Sequence, residues 1–151
     1  MKNCQFQSVL DIGGGEGAHS KIFIDYGKSV TGIDVGKSPY FARNRQKRNY
    51  IIGDFNKVSV KNRYDLVWCC HVLEHQLNVN YFLRKIRKVL MPNGILALTV
   101  PPAKSQIVGG HLSVWNAGLL LYNLVLAGFD CRDAHVLKYG YNISIVLANK
   151  K

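Results

Sequence analysis

Residues able to move a proton or hold a cation gather at two places in the sequence: His71, Glu74 and His75 lie close together, and His111 follows much later. An imidazole that titrates near neutrality can take a proton from a hydroxyl, so His71 or His111, with His75 as a further candidate, could act as a general base. Set on a helical turn, His71, Glu74 and His75 stand at i, i+3 and i+4 and share a face. Joined by His111, they give a second reading, a divalent-metal site that polarises an acceptor hydroxyl; a set this rich in His suits zinc, manganese or iron better than magnesium. In a third reading Glu74 and His75 only cap and orient a helix.

The other chemical feature is Asp11-Ile12-Gly13-Gly14-Gly15-Glu16-Gly17. A strand ending in an acid, a glycine turn and a helix start together present backbone N–H groups and a positive dipole end to a ligand. Gly13, Gly15 and Ala18 satisfy the dinucleotide fingerprint G-x-G-x-x-G/A, and Asp34 follows Gly13 by 21 positions, where an acid can hold ribose hydroxyls.

The elements that must position these groups alternate strand and helix, which predicts a parallel sheet covered by helices. Strands are expected at Ser8 to Ile12, Val30 to Asp34, Tyr50 to Gly53, Tyr64 to Cys70 and Ile95 to Val100. The helices between them run from Ala18 to Tyr26, closed by Gly27; from Pro39 to Arg48; and from an Asn78 cap to about Leu90, with Pro92-Asn93-Gly94 as the turn into the fifth strand. A nearly all-apolar helix from Val114 to Ala127, capped by Ser113, should be largely buried. Phe129 to Leu137 and Asn142 to Ala148 read as strands joined by Lys138-Tyr139-Gly140-Tyr141, too short for a crossover, so the last strand must run antiparallel to its neighbour.

With 151 residues the chain fits one domain, residues 1–151, and can bury roughly two thirds of its unfolded surface. No apolar run approaches the roughly 20 residues of a membrane span, and the start of the sequence lacks a signal-peptide pattern, so a cytoplasmic protein is expected. Cys4, Cys69, Cys70 and Cys131 contain no CxxC pair and read as reduced thiols, largely of the core. The net charge of +11 favours an anionic partner without naming one. Much of the excess lies in Arg43, Arg45, Lys47 and Arg48, and in Arg84, Lys85, Arg87 and Lys88. The second group alternates with Phe82, Ile86, Val89 and Leu90, a buried-face spacing, so a solvated helix face is the plainer reading of its charges.

Val9-Leu10-Asp11 through Gly17 resembles the first motif of class I S-adenosylmethionine-dependent methyltransferases, D-x-G-x-G-x-G. Thr31-Gly32-Ile33-Asp34-Val35 resembles their second strand with its ribose-binding acid, and Ile52-Gly53-Asp54-Phe55 their third-strand segment. Tyr64-Asp65-Leu66-Val67 with Val72-Leu73-Glu74-His75 is similar to the "FDLV…VLEH" signature of a small-molecule branch. Arg87 to Gly94 resembles "RVLKPGG", with Asn93 in place of a glycine. The likeness follows the family's motif order along nearly the whole chain. It implies a three-layer α/β, Rossmann-like, seven-stranded, mostly parallel sheet with an antiparallel last strand.

What the resemblance implies for the site is specific. The methionine part of the cofactor would rest on Gly13, Gly14 and Gly15 and the backbone near Cys70, the ribose on Asp34, and the adenine beside Val35, Asp54 and Phe55. Asp11 would support the loop and the amino end of the cofactor, and Gly17 is a further cofactor-binding position. The expected reaction is O-methyl transfer to a small molecule or glycan. His71, Glu74, His75 and His111 resemble the E-x-x-E-H plus distant His of small-RNA 2′-O-methyltransferases and the E-x-x-E-H of ubiquinone-pathway O-methyltransferases, with His71 where those have Glu; metal dependence is therefore not the favoured reading. Tyr40, Tyr139 and Tyr141 could line the acceptor pocket.

Three other readings stand beside this one: a metal-assisted RNA ribose methyltransferase, a non-catalytic cofactor-binding subunit, and a nicotinamide-dependent dehydrogenase. Nucleic acid is the less favoured acceptor, because Cys70-His71-Val72-Leu73 replaces the N/D-P-P-Y of base-amine enzymes. The sequence starts at its first strand without the helix that often covers the substrate, so a partner chain or a homo-oligomer is an expected cover for the pocket.

Overall fold

The computed structural model describes residues 5–150. Cys4, one of the four expected thiols, lies outside them; Cys69, Cys70 and Cys131 are free, with Cys69 buried.

Seven segments extend into strands: Ser8–Ile12 (β1), Ser29–Asp34 (β2), Tyr50–Ile52 (β3), Tyr64–Cys70 (β4), Leu90–Val100 (β5), His135–Tyr139 (β6) and Asn142–Ala148 (β7). They form one sheet in the order β3-β2-β1-β4-β5-β7-β6. Strands β1 to β5 run parallel, while β7 is antiparallel to both β5 and β6, as the short hairpin requires. Tyr139 pairs with Asn142, leaving Gly140-Tyr141 as a two-residue turn whose first residue has φ 50°. The strand order reverses between β1 and β4, the place where open α/β sheets bind ligands.

Alternation along the strands separates two faces. Leu10, Ile12, Val67, Cys69, Leu96 and Leu98 point into the larger core, which also takes Phe82, Leu83 and Ile86 of Val79–Val89 (α3) and Leu120 and Leu124 of Ala117–Leu126 (α4). Val9, Leu66 and Ala97 face the opposite side, where Phe23 of Ala18–Asp25 (α1) covers them. This is the expected three-layer arrangement. Asn78 caps α3, its Oδ1 accepting from the Tyr81 N–H at 2.9 Å, and the Gly27 N–H closes the end of α1 on the Ile24 carbonyl.

Five expectations need correction. The helix read over Pro39 to Arg48 stops early, as Pro39–Ala42 (α2), and Lys47–Asn49 forms a separate 3-10 turn. Asn44 breaks it: its Oδ1 accepts from the Gln46 N–H and its Nδ2 donates to the Gly15 carbonyl, which anchors this stretch to the glycine loop. Pro92-Asn93-Gly94 is a bulge inside β5 rather than a turn before it, with Asn93 at φ 61° and its N–H on the Asn149 carbonyl. Helix α4 starts at Ala117 under Asn116, whose Oδ1 accepts from the Leu119 N–H at 2.8 Å, so Ser113 is not its cap. Nor is α4 buried all round, because Leu120 and Leu124 are buried in the core with Ala117 and Leu121 packed against it, while Leu119, Tyr122, Val125 and Leu126 are exposed. The strand expected from Phe129 begins only at His135, because Asp130 accepts from the Arg132 N–H and turns the chain after buried Phe129.

Candidate functional site

At the switch point the carboxyl ends of β1, β2 and β4 and the loops after them enclose a cleft of about 1130 Å³. It is lined by Gly13 and Gly15, by Asp34 and Val35, by Asp54 and Phe55, by Cys70, and by His71, Glu74, His75 and His111. Asp11 and Gly17 are buried and Gly14 is half-buried, and the three are not among the residues that line it.

The loop is held from beneath. Buried Asp11 accepts hydrogen bonds from the Ser20 hydroxyl at 2.5 Å and the Tyr50 hydroxyl at 2.8 Å. Burial pushes the Asp11 carboxyl above the usual range, and the two hydroxyl donors partly offset it; burial and the neighbouring Asp11 charge push the Tyr50 phenol up as well. A Cβ on Gly14 would come within 1.8 Å of the Tyr50 hydroxyl oxygen, so the chain passes this tie only as glycine. Gly13, at φ 70°, faces Val72 so closely that a Cβ would stand 2.3 Å from Cγ2. Nearly buried at the end of β2, Asp34 accepts from the Gly15 N–H at 3.1 Å and the Gly36 N–H at 2.8 Å. Its carboxylate thus fixes the two turns between which a ligand would lie.

The second half of the cleft is not the helical turn that the sequence spacing suggests. His71 leaves β4 in the left-handed region, φ 55°, and the 3-10 turn begins only at Leu73–His75. The kink sends His71 away from His75. Its Nδ1 lies 3.2 Å from Glu74 Oε1, its Nε2 lies 2.8 Å from Asn142 Oδ1, and its ring lies parallel to Tyr141 at 6.2 Å. Both partner atoms are acceptors, so a neutral imidazole donates to one of them while its other ring nitrogen faces an oxygen; in either tautomer the ring is braced between Glu74 and Asn142.

His75 is held differently. Its Nδ1–H donates to the Gly110 carbonyl at 2.7 Å, and its Nε2 lies 4.0 Å from Glu74 Oε1, beyond hydrogen-bond distance. The His111 ring stands edge-on to it at 4.9 Å. The loop that carries His111 is anchored by the Leu112 N–H on the Glu74 carbonyl and pinched at its base by the Ala103 N–H on the Trp115 carbonyl. Glu74 is fully buried, and its Oε2 has no hydrogen-bond partner. Glu74, His75 and His111 each bring one ligand atom within 4.8 Å of the others. Of the four residues expected to share a metal, His71 is therefore outside the cluster, because its ring is spent on Asn142.

Tyr40 and Tyr141 line the cleft as expected, whereas Tyr139 faces a neighbouring hollow. Asn142, Asn56, Gln76 and Tyr81 were not signalled by the sequence. The Asn56 Nδ2 donates to Gln76 Oε1 at 2.8 Å, and Asn142 opens a strand that reads only as an apolar run.

Comparison with known proteins agrees with this geometry. Residues 10–98 match the family model described as "Methyltransferase domain", and the chain belongs to that family. Among curated relatives, the ubiquinone biosynthesis O-methyltransferase of Pseudomonas paraeruginosa is 30% identical over 101 residues, 62% of this chain and 44% of the relative. The chain thus spans less than half the length of that relative. Among solved structures, the 1,6-didemethyltoxoflavin-N1-methyltransferase of Burkholderia thailandensis, bound to 1,6-didemethyltoxoflavin and S-adenosylhomocysteine, superposes with TM-score 0.77. It is 18% identical, over 95% of this chain and 71% of that one. A Haloferax volcanii methyltransferase in complex with a methyltransferase activator gives TM-score 0.75 at 16% identity, over 96% of this chain and 83% of that one. The fold is the Rossmann-like fold of class I methyltransferases.

Proposed function

We propose that this chain binds S-adenosylmethionine in the cleft and transfers its methyl group to a hydroxyl of a small molecule or glycan. The observation that carries the reading is the convergence of the glycine loop, Asp34 and the Glu74-His75-His111 cluster on one switch-point cleft. The residues suit the cofactor: Gly13 and Gly15 offer bare backbone, Asp34 offers carboxylate oxygens to ribose hydroxyls, and Val35 and Phe55 offer apolar walls to adenine, with Asp54 beside them. Cys70, its thiol pushed up by burial, is no nucleophile and supplies wall and backbone. The dinucleotide reading of the same loop is set aside, since the chain belongs to a methyltransferase family.

When bound, S-adenosylmethionine supplies a methyl group already activated by its sulfonium. The protein has to hold the acceptor in line, exclude water and take up the hydroxyl proton. His111 and His75 are the bases. With its Nδ1–H fixed on Gly110, His75 keeps Nε2 without a hydrogen bond, 4.0 Å from Glu74 Oε1, and His111 stands beside it. His71, bound to Glu74 and Asn142, positions both: it holds Glu74 and ties the β6-β7 hairpin to the site.

A second reading rests on the orphaned Oε2 of Glu74. Glu74, His75 and His111 would hold a divalent cation that lowers the pKa of an acceptor hydroxyl. Three free thiols suit a cytoplasmic setting. Among the described residues no helix is long and apolar enough to cross a membrane. A partner chain or second copy would have its place over the cleft rim, where Leu77 is 94% exposed.

Transfer of labelled methyl from S-adenosylmethionine to fractionated cell extract tests the reading. The protein should label a hydroxyl-bearing small molecule or glycan, and His111→Ala should lower the rate by roughly 100-fold or more. Loss of activity on chelation, restored by zinc or manganese, selects the metal reading. Labelling of RNA alone, or of nothing in any fraction, would contradict the proposal.

A further inference from the structure

On the opposite rim of the sheet lies a second cavity, of about 270 Å³, that the methyl-transfer reading does not use. Its topology separates it from the first site. Arg63 precedes β4, Leu90 begins β5, and Lys150 follows antiparallel β7, so the cavity lies at the amino ends of the parallel strands, whereas the first cleft lies at their carboxyl ends. Arg84, Arg87 and Lys88 reach it from the last two turns of α3.

Of the charges here, only Lys150 has a counterion among the described residues, Asp133. The other eight of the chain's nine acidic residues are engaged away from the cavity. Asp11, Asp34 and Glu74 are buried, and Asp54 belongs to the first cleft. Asp25, Glu16 and Asp130 pair with Lys21, Arg43 and Arg132, while Asp65 accepts from Ser8 and the Gln7 N–H. Among the described residues, Arg63, Arg84, Arg87 and Lys88 therefore converge on one hollow with no ion pair. The dipole of α3 favours cations at its end, which explains the charges of Arg87 and Lys88. It does not explain Arg63, nor the convergence.

Arg87 helps line the hollow and is set in place by packing. Its Nε is buried and has no hydrogen-bond partner, and its guanidinium passes over Gly128, where a Cβ would stand 3.1 Å from Nη1.

We infer that this cavity binds the phosphate groups of a compact, soluble polyphosphorylated ligand. Arginine forks match phosphate oxygens two at a time, and three arginines with a lysine neutralise more charge than a single carboxylate carries. Leu90, Pro92 and Ala127 form an apolar floor, and no aromatic ring lines the hollow for a base to stack on, which disfavours single-stranded RNA.

Calorimetric titration with inorganic tripolyphosphate in chelator-treated buffer tests the inference. The expected result is saturable one-to-one binding at about 0.15 M salt. The exposed pair Arg63→Ala/Arg84→Ala should weaken it at least tenfold, and Arg45→Ala/Arg48→Ala, which removes the same charge elsewhere, less than about twofold. Affinity for S-adenosylhomocysteine should be unchanged in both variants, which also shows that they fold. Absence of saturable binding, or equal weakening by the two double variants, would overturn the inference, since diffuse attraction to the net charge behaves in that way. So would binding of a single-stranded RNA oligonucleotide that tripolyphosphate does not displace.

Discussion

His71 and Gly14 show how much a single residue's surroundings decide. Both are conspicuous in the sequence, and the structure gives each a contact that residue type does not announce. His71, a candidate base, has φ 55° and a ring set between Glu74 and Asn142, contacts that suit a brace, and backbone strain cannot be read from residue type. Gly14, expected at the cofactor, also makes room for the Tyr50 to Asp11 hydrogen bond. Gly14→Ala should therefore destabilise the protein by about 1–3 kcal/mol, seen as a lower midpoint in urea unfolding, through overpacking under the loop. A midpoint equal to that of the unsubstituted protein would mean that Tyr50 moves aside freely. Asn142→Ala gives a check on His71: if His71 is a brace, the maximal rate should fall and the pH profile should shift as its ring is freed, whereas an idle contact would change neither.

The elements were largely legible because a strand, a turn and a helix have short-range causes. Gly27 and Asn78 end and begin helices by rules that need only neighbouring residues. What escaped depended on contacts distant in sequence. Asn44 ends α2 through the Gly15 carbonyl, and α4 is apolar nearly all round although of its residues Leu120 and Leu124 alone are buried. Leu124→Ala should accordingly cost about 2–5 kcal/mol, and Val125→Ala, on the exposed face, within about 0.5 kcal/mol. Equal losses would mean that the outer face is also covered. The join between β1 and β4 carries a pH signature. Asp65 accepts from the N–H groups of Gln7 and Ser8 and from the Ser8 hydroxyl, and these bonds hold its carboxyl below the usual range. A carboxyl depressed in the folded state stabilises above its unfolded pKa and loses that contribution as pH falls through the folded value. Asp65→Ala should thus cost about 1 kcal/mol at pH 7, a modest figure for a partly exposed group, and the gap should shrink as pH falls below the usual carboxylate range.

For the whole molecule, one sheet separates two kinds of chemistry. The carboxyl rim gathers the acids that can hold ribose and orient imidazoles, and the amino rim gathers arginines that none of the chain's acids neutralises. The family and the fold were readable from motif order because the glycine loop, Asp34 and the terminal hairpin each fix a different part of the topology. The acceptor was not, because it depends on the loop carrying His111 and on the hairpin tip with Tyr141, where no local rule applies. The central claim is that the switch-point cleft is the cofactor site. Calorimetric titration with S-adenosylhomocysteine of the unsubstituted protein and of Asp34→Ala tests it most directly. Loss of the ribose hydrogen bonds to a charged partner should weaken binding by about 1.5 to 3 kcal/mol, roughly tenfold to a hundredfold, while Arg45→Ala binds as before. Equal affinity in Asp34→Ala and the unsubstituted protein would contradict the account.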